Sequence, residues 1–197
     1  MLKLYGVKGL IKIIISYINT KIFYRNSRLI RFPFDIRNKS NIDLGIGLTT
    51  GVGCRIEAFP ICDEIVLKFG ENVQINDYVH ITAMESVKIG NNVLLASKIY
   101  ISDCSHGSYS GNKMDSNPAS IPVDRPLFCK PVVIEDNVWL GEFVSVLPGV
   151  TIGKGTIVGA NSVVSKSLPE YIIAVGIPAK PIKKFNFDTH MWEQIKE

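Results

Sequence analysis

An aliphatic residue recurs at every sixth position in the second half of the chain. The positions are Ile134, Leu140, Val146, Ile152, Val158 and Val164. Six residues of an α-helix leave a side chain roughly 120° from its starting direction, whereas six residues of a strand return it to the same face. Glycine, asparagine and aspartate lie close to these positions and supply the conformations that tight corners need. The pattern predicts short strands stacked as a parallel β-helix around an aliphatic centre.

The same spacing occurs earlier in the chain, in sets that begin at Leu44, Phe69 and Ile89. The register shifts by two residues between 81 and 89, and it is lost within residues 102–132. That segment is polar and rich in proline, so we expect a loop extruded from the solenoid, where long loops usually carry function. Residues 41–169 are therefore predicted to form an all-β solenoid of about five coils with one long loop.

The two ends of the chain depart from this pattern. Residues 5–19 predict an amphipathic helix that either caps the solenoid or lies on a membrane surface. Its apolar face contains Val7, Leu10, Ile11, Ile14 and Ile18. The segment is too short and too charged to span a bilayer, and it lacks the cleavage site of a signal peptide. Residues 189–195 predict a short C-terminal helix. The chain thus divides into a basic arm at 1–40, the β-helix domain at 41–169 and a C-terminal segment at 170–197.

Charge is distributed unevenly along the chain. The net charge is +4, but residues 1–40 contain nine Lys or Arg and one acidic residue, so this segment is +8 and the remainder is −4. The basic arm indicates either an anionic partner, such as lipid headgroups, or a solvated basic face. No phosphate-binding loop or nucleic-acid pattern occurs. The four cysteines lack metal-ligand spacing and fit free thiols in a reducing cytoplasm.

Two histidines lie within the repeat region and could carry chemistry. His106 stands at the start of the long loop with Asp103 three residues earlier, and a carboxylate near an imidazole can hold its tautomer and raise its basicity. Such a pair could remove a proton from a hydroxyl. His80 lies within a hexad and either lines the same cleft or points outward. Cys104 is a weak candidate nucleophile because Asp103 beside it disfavours a thiolate.

Basic residues follow the last coils and could bind phosphate groups. The cluster consists of Lys166, Lys180, Lys183 and Lys184. Pro178 and Pro181 stiffen the segment and fix where Lys180 and Lys183 lie. A pocket for phosphate groups has this character.

The hexads, the loop histidine and the ending GIPAKPIK together resemble the hexapeptide-repeat acyltransferases over residues 44–185. The chain is similar to the maltose and galactoside O-acetyltransferase group. The stretches RLIRFPFDIR, TTGVGCRIEAF, GENVQINDYVHI and IPVDRPL look still more like O-acetyltransferases of lipopolysaccharide O-antigen and capsule assembly. The resemblance implies a left-handed parallel β-helix, an exception to right-handed crossovers. It also implies homotrimers that bind acetyl-CoA between subunits, with no metal required.

The resemblance assigns roles to individual residues. His106 matches the catalytic histidine, and many relatives carry a second histidine where this chain has Cys104. The residues matching backbone contacts to pantetheine and the thioester are Gly141, Glu142, Gly159 and Ala160. Those matching phosphate contacts are Ser165, Lys166, Lys180 and Lys183, so the segment 170–197 is expected to contact CoA. The acceptor residues are expected to be Asn76, His80 and Arg125. An acceptor-site aspartate of the sugar-modifying members is replaced here by Met84 or Ala83, which argues against a simple galactoside or maltose acceptor.

These assignments predict an acetyl-CoA-dependent O-acetyltransferase of surface polysaccharide assembly. His106 would accept the proton of a sugar hydroxyl during direct attack, Asp103 would orient the imidazole, and a backbone N–H near 141–142 would stabilise the oxyanion. The acceptor would be a sugar or a lipid-linked glycan, and the enzyme cytoplasmic with peripheral contact at the inner leaflet. The alternatives are N-acetylation of an amino sugar or nucleotide-amino sugar, and a non-catalytic scaffold. Acetyl transfer to serine and a three-histidine carbonic anhydrase site fit less well.

Overall fold

The structure, a computed structural model, describes residues 2–195. These residues form one α-helix, two short 3-10 helices (Lys39–Asn41 and Pro122–Asp124) and 21 strands. The helix and strands are α1 (Leu2–Phe23), β1 (Phe34–Arg37), β2 (Ile42–Asp43), β3 (Thr49–Thr50), β4 (Cys54–Ala58), β5 (Leu67–Phe69), β6 (Gln74–Ile75), β7 (His80–Ala83), β8 (Val87–Ile89), β9 (Leu94–Leu95), β10 (Tyr100–Ser102), β11 (Cys104–His106), β12 (Leu127–Cys129), β13 (Val132–Ile134), β14 (Trp139–Leu140), β15 (Ser145–Val146), β16 (Thr151–Ile152), β17 (Ile157–Val158), β18 (Val163–Val164), β19 (Ile172–Gly176), β20 (Ala179–Asn186) and β21 (Met191–Gln194).

Successive strands of the repeat region belong to three different parallel sheets. The first sheet has the order β1-β4-β7-β10-β15-β18, and the second has the order β16-β13-β8-β5-β2. The third contains β3, β6, β9, β14, β17 and β19, and the antiparallel strands β20 and β21 extend it. The chain therefore winds around a prism with three faces, which confirms the predicted parallel β-helix and its number of coils.

The hexad residues form columns inside this prism. In the first sheet Ile56, Ile81, Ile101, Val146 and Val164 stand directly above one another, and each is fully buried. Several corners use asparagine, which adopts positive φ at low cost, whereas other corners place Tyr78, Lys98, Phe143 and Tyr171 at positive φ. Such asparagines are Asn72, Asn92, Asn137 and Asn161. The pattern of aliphatic residues and corners thus sets both the core and the turns.

The long insertion leaves the prism as an antiparallel hairpin of β11 and β12. Its pairs are Cys104 with Cys129, Ser105 with Phe128 and His106 with Leu127. Ser102 and Val132 still belong to prism strands β10 and β13. The extruded loop is therefore confirmed, but it is shorter at both ends than the predicted range of 102–132.

The N-terminal helix α1 is longer than the predicted range and contains a break at Gly6, whose φ is 63°. It contacts the chain segment that leads into the first coil: the Thr20 hydroxyl accepts from the Ile30 N–H at 2.8 Å, and Leu29 pairs with Thr49 of β3. Ser16 and Thr20 are buried in this contact. The predicted apolar face points the other way, so α1 lies against the first coil through small polar residues.

The predicted helix at 189–195 is wrong, because residues 191–194 form strand β21 antiparallel to β20. Phe185 and Trp192 face each other across the two strands, with ring centroids 5.2 Å apart. The intervening turn is held by the Asn186 side chain, which accepts from the Asp188 N–H at 2.9 Å. Aromatic cross-strand pairs stabilise sheets, and this pairing outweighs the local helical pattern.

Candidate active site

His106 borders a cavity of about 430 Å³ between the hairpin and the outer face of the first sheet. The lining residues are Phe59, Thr82, Met84, Tyr100, Ser102, Cys104, Ser105, His106 and Leu127. Thr82, Tyr100 and Ser102 point outward from β7 and β10, since side chains alternate along a strand. The same alternation places Cys104 and His106 on one side of the hairpin. The cavity therefore combines an imidazole with hydroxyl groups and an apolar rim.

The backbone of His106 is fixed, while its ring is exposed. The Tyr109 hydroxyl donates to the His106 carbonyl oxygen, and Arg125 donates to the same hydroxyl at 2.8 Å. Within residues 2–195 the ring nitrogens of His106 form no hydrogen bond. The loop thus holds the backbone of His106, and the imidazole remains available to a group that enters the cavity.

Arg125 uses its guanidinium inside the loop. Besides Tyr109, it donates to the Ser120 hydroxyl at 3.0 Å, the Ser120 carbonyl at 2.7 Å and the Pro118 carbonyl at 3.2 Å. Arg125 does not line the cavity of His106. The structure gives it a role in holding the loop, and its predicted contact with the acceptor stays a prediction.

Asp103 contacts a turn rather than His106. Its carboxylate is fully buried and accepts backbone N–H bonds from Met84, Glu85 and Ser86 at 2.9, 2.8 and 2.7 Å. This differs from the predicted contact with the imidazole, because the chain bends at Asp103, between β10 and β11, and the carboxylate bonds to the neighbouring coil. Such charge-assisted bonds are strong. They fix the turn that carries Met84, so Asp103 shapes one wall of the cavity.

His80 belongs to a charged cluster beside the cavity. Its Nε2 lies 2.7 Å from a carboxylate oxygen of Glu57, and a guanidinium nitrogen of Arg55 lies 2.9 Å from the same Nε2. The His80 ring also packs on Tyr100, with centroids 5.4 Å apart. His80 is therefore one residue removed from the cavity and shares its neighbour Tyr100. Sequence reasoning missed Arg55, Glu57 and Tyr100. The coil register that stacks Arg55, His80 and Tyr100 is the signal that could have found them.

The two thiols of the hairpin face each other and are poor nucleophiles. Burial is the main cause that raises the pKa of Cys104. Burial and the neighbouring Cys104 raise the pKa of Cys129 to about 12. A thiol reacts as its thiolate, so both groups are predominantly inactive near neutral pH. The structure gives no support to Cys104 as a nucleophile.

The residues predicted to contact pantetheine lie at corners of the third sheet. A Cβ on Gly141 would approach the Ala160 nitrogen to 2.6 Å, and one on Gly159 would approach Val175 to 2.8 Å. The Gly141 N–H already donates to the Val158 carbonyl at 2.8 Å. Within the described chain the N–H groups of Glu142 and Ala160 donate to no residue. These two N–H groups, which belong to exposed residues, could bind the carbonyl oxygens of a pantetheine arm or thioester.

The predicted phosphate contacts lie farther along the molecule. Ser165 and Lys166 follow β18, whereas Lys180 and Lys183 lie on β20, opposite Val175 and Ile173. In residues 2–195 none of these three lysines forms a salt bridge with a carboxylate. Their ammonium groups are therefore available to an anion.

The acceptor and donor residues do not share one cavity within a single chain. Asn76 is exposed at a corner after β6, where its carbonyl accepts from the Cys54 thiol at 3.1 Å. Neither Asn76, Gly141 nor Ala160 lines the cavity of His106. The arrangement within one chain brings together the imidazole and the hydroxyl-lined cavity only.

Comparison with known proteins identifies the family. Residues 131–166 match the family described as Bacterial transferase hexapeptide (six repeats). The chain is 49% identical to WbbJ of Escherichia coli (strain K12), a protein named for lipopolysaccharide biosynthesis O-acetyl transfer, over 98% of this chain and 96% of that one. It is 31% identical to galactoside O-acetyltransferase of the same organism, over 78% of this chain and 72% of that enzyme. The chain belongs to the hexapeptide-repeat acetyltransferases, as the sequence resemblance predicted.

Solved structures agree with this fold. A variant of AntD, an N-acyltransferase from Bacillus cereus in complex with dTDP-4-amino-4,6-dideoxyglucose and coenzyme A, has a TM-score of 0.69 at 21% identity, over 87% of this chain and 91% of that chain. A hexapeptide-repeat containing acetyltransferase from Vibrio cholerae O1 biovar eltor, complexed with acetyl coenzyme A, has a TM-score of 0.54 at 26% identity, over 74% and 70%. The predicted left-handed β-helix is thereby confirmed.

Proposed function

We propose that this acetyltransferase moves the acetyl group of acetyl-CoA to a sugar hydroxyl during the assembly of an O-antigen or capsule. One observation carries the proposal: an unpaired, exposed imidazole borders a hydroxyl-lined cavity. The similarity to WbbJ over nearly the whole chain supports a surface polysaccharide as the source of that hydroxyl.

In the proposed reaction His106 accepts the proton of the sugar hydroxyl while the hydroxyl oxygen attacks the thioester carbonyl carbon. The backbone N–H of Glu142 stabilises the negative charge that develops on the carbonyl oxygen, since the Gly141 N–H is already used. When the C–S bond breaks, His106 returns the proton to the departing sulfur. No covalent acetyl-enzyme and no metal ion take part.

The donor would lie along the corners of the third sheet. Its pantetheine arm would pass Gly141, Glu142, Gly159 and Ala160, and its phosphates would meet Ser165, Lys166, Lys180 and Lys183. The close packing of Gly141 on Ala160 supports this path, because a side chain at Gly141 would collide with the neighbouring backbone. The unpaired lysines supply the positive charge that phosphate groups require.

We infer that the enzyme works as a homotrimer. The donor corners and the cavity of His106 belong to different faces of one prism, so a neighbouring prism is needed to complete the site. Asn76 is exposed at a corner and would then reach the acceptor across the same interface. His80 would act through Tyr100, whose ring it packs against.

Deletion of the gene in its host tests the proposed function. The surface glycan should lose an O-acetyl signal in its NMR spectrum. A plasmid copy of the wild-type gene should restore that signal, and a His106→Ala copy expressed to the same level should not. An unchanged O-acetyl content in the deletion strain, or loss of an N-acetyl signal instead, would contradict the proposal.

We also place the enzyme in the cytoplasm, in peripheral contact with the inner leaflet, where a lipid-linked glycan could serve as acceptor. Support comes from the basic arm at residues 1–40. Within the described residues, no helix combines the length and apolar character needed to cross a bilayer.

A further inference from the structure

The helix α1 presents an unpartnered apolar stripe to solvent. Val7, Ile11, Ile14, Ile18 and Ile22 follow one another at spacings of three and four residues, which places them on one face. Their side chains are between 50% and 65% exposed. An exposed aliphatic stripe of this length on a helix calls for a partner.

The opposite face of α1 fixes the orientation of this stripe. At roughly 100° per residue, Ser16 and Thr20 lie on the side opposite Ile14 and Ile18. Both polar residues are buried, the Thr20 hydroxyl accepts from the Ile30 N–H at 2.8 Å, and the Ser16 hydroxyl accepts from the Phe32 N–H at 3.4 Å. Because these contacts are polar and specific, rolling the helix to bury its isoleucines would break them. The stripe therefore faces away from the protein.

Basic side chains border the stripe. Lys8 and Lys12 lie along one edge, at positions from which long side chains extend past an apolar surface. Lys21 lies along the other edge, where its ammonium group donates to the Ser27 carbonyl oxygen at 3.1 Å. Within residues 2–195, none of these lysines forms a salt bridge. Residues 1–40 as a whole contain nine basic residues and one acidic residue. The surface is thus apolar in its centre and positive at its edges.

A second copy of α1 and an anionic lipid layer would both cover aliphatic side chains. Two copies of α1 would bring together two helices that each contain four lysines and no acidic residue, and like charges at close range repel. An anionic lipid layer offers hydrocarbon to the isoleucines and negative headgroups to the lysines. Charge complementarity therefore selects the lipid surface.

We propose that the stripe of α1 is a membrane-docking surface for anionic lipid, with the helix lying in the plane of the headgroups. The assignment to the cytoplasmic leaflet rests on the proposed function, whereas the docking surface itself rests on the geometry of α1. Docking would hold the cavity of His106 close to acceptors that are anchored in the same leaflet. Enzyme and acceptor would then meet by diffusion in the plane of the membrane.

Flotation of the full chain with vesicles tests the surface without any substrate. We expect binding to phosphatidylcholine vesicles that contain 30% phosphatidylglycerol, and weak binding to phosphatidylcholine alone. The triple variant Ile11→Ser, Ile14→Ser, Ile18→Ser should bind the anionic vesicles at least about tenfold more weakly. The control Ile61→Ser changes an isoleucine outside the helix that is even more exposed, at 84%, and should bind as the wild type does.

Charge reversal gives an independent result. Lys8→Glu with Lys12→Glu should weaken binding to anionic vesicles by about tenfold or more, whereas Lys88→Glu, an exposed lysine of β8, should change it little. Equal wild-type binding to neutral and anionic vesicles, or none, would overturn the proposal. So would a triple variant that changes oligomeric state and keeps vesicle binding, since a second copy would then cover the stripe. The same variants are also assayed for acetyl transfer to a soluble acceptor. Normal transfer without vesicle binding would refute the docking surface alone, whereas absent transfer would refute the proposed function.

Discussion

At the scale of single residues, the structure separates two roles that the chain places only three positions apart. His106 is exposed at the cavity, whereas Asp103 is fully buried and holds the turn at 84–86. Their spacing in the sequence suggested a direct contact, but the chain bends at Asp103 and the carboxylate bonds to the turn at 84–86 instead. The partner of Asp103 was not readable, because it comes from the neighbouring coil. The shift of register between 81 and 89 marks that turn without revealing what holds it.

Replacing Asp103 by Asn tests this separation. The variant retains the shape of the side chain but loses the negative charge that three N–H groups share, so the free energy of unfolding should fall by about 1–3 kcal/mol. Denaturation in urea measures that change. The pH dependence of kcat/KM should keep its wild-type midpoint if Asp103 acts through the turn. Normal stability with a displaced midpoint would instead show direct support of His106.

The thiols provide a second test at this scale. Because burial raises the pKa of Cys104, and that of Cys129 to about 12, their neutral forms persist to higher pH than those of ordinary thiols. Labelling by iodoacetamide at pH 8 should therefore be fast at the exposed Cys62 and slow at both hairpin cysteines. Cys104→Ser should retain most of the transfer rate. A stable acetyl adduct on Cys104 would refute direct attack.

At the scale of elements, the hexad pattern predicted the prism well because each coil repeats one local rule. Ile56, Ile81 and Ile101 each fill the same position of a coil, so a wrong prediction for one coil does not alter the prediction for the next. The C-terminal hairpin obeys no repeat. The local sequence of residues 189–195 is compatible with a helix. Pairing with strand β20, where Phe185 lies opposite Trp192, instead places residues 191–194 in strand β21. Non-local pairing of this kind cannot be read from local spacing.

This hairpin carries two of the lysines proposed to bind CoA, which leads to a prediction. Trp192→Ala removes the ring that packs on Phe185 and should loosen β20, where Lys180 and Lys183 lie. The KM for acetyl-CoA should rise roughly tenfold, as expected for loss of a charge-assisted contact, with little change in kcat. Tyr17→Ala, an exposed aromatic change in α1, serves as the control. An unchanged KM would remove the hairpin from the donor site.

At the scale of the whole molecule, a site shared between chains has a distinctive signature. His106→Ala lacks the base, and Ala160→Trp should block the donor path with a bulky side chain at an exposed corner. Each variant alone should be inactive. If the site takes His106 from one chain and Ala160 from its neighbour, mixed trimers formed at equal amounts should recover about one quarter of the wild-type rate. Light scattering should report trimers, and inactive mixed trimers would place the whole site within one chain.

The most direct test of the account is transfer of a ¹³C-labelled acetyl group from acetyl-CoA to glycan purified from the deletion strain. Wild-type enzyme should produce a new O-acetyl signal in the NMR spectrum. His106→Ala should slow its appearance by about 10²–10⁴-fold while calorimetry shows nearly unchanged CoA affinity. Label incorporated at the wild-type rate by His106→Ala, or label found on an amine, would contradict the claim that His106 delivers acetyl groups to a sugar hydroxyl.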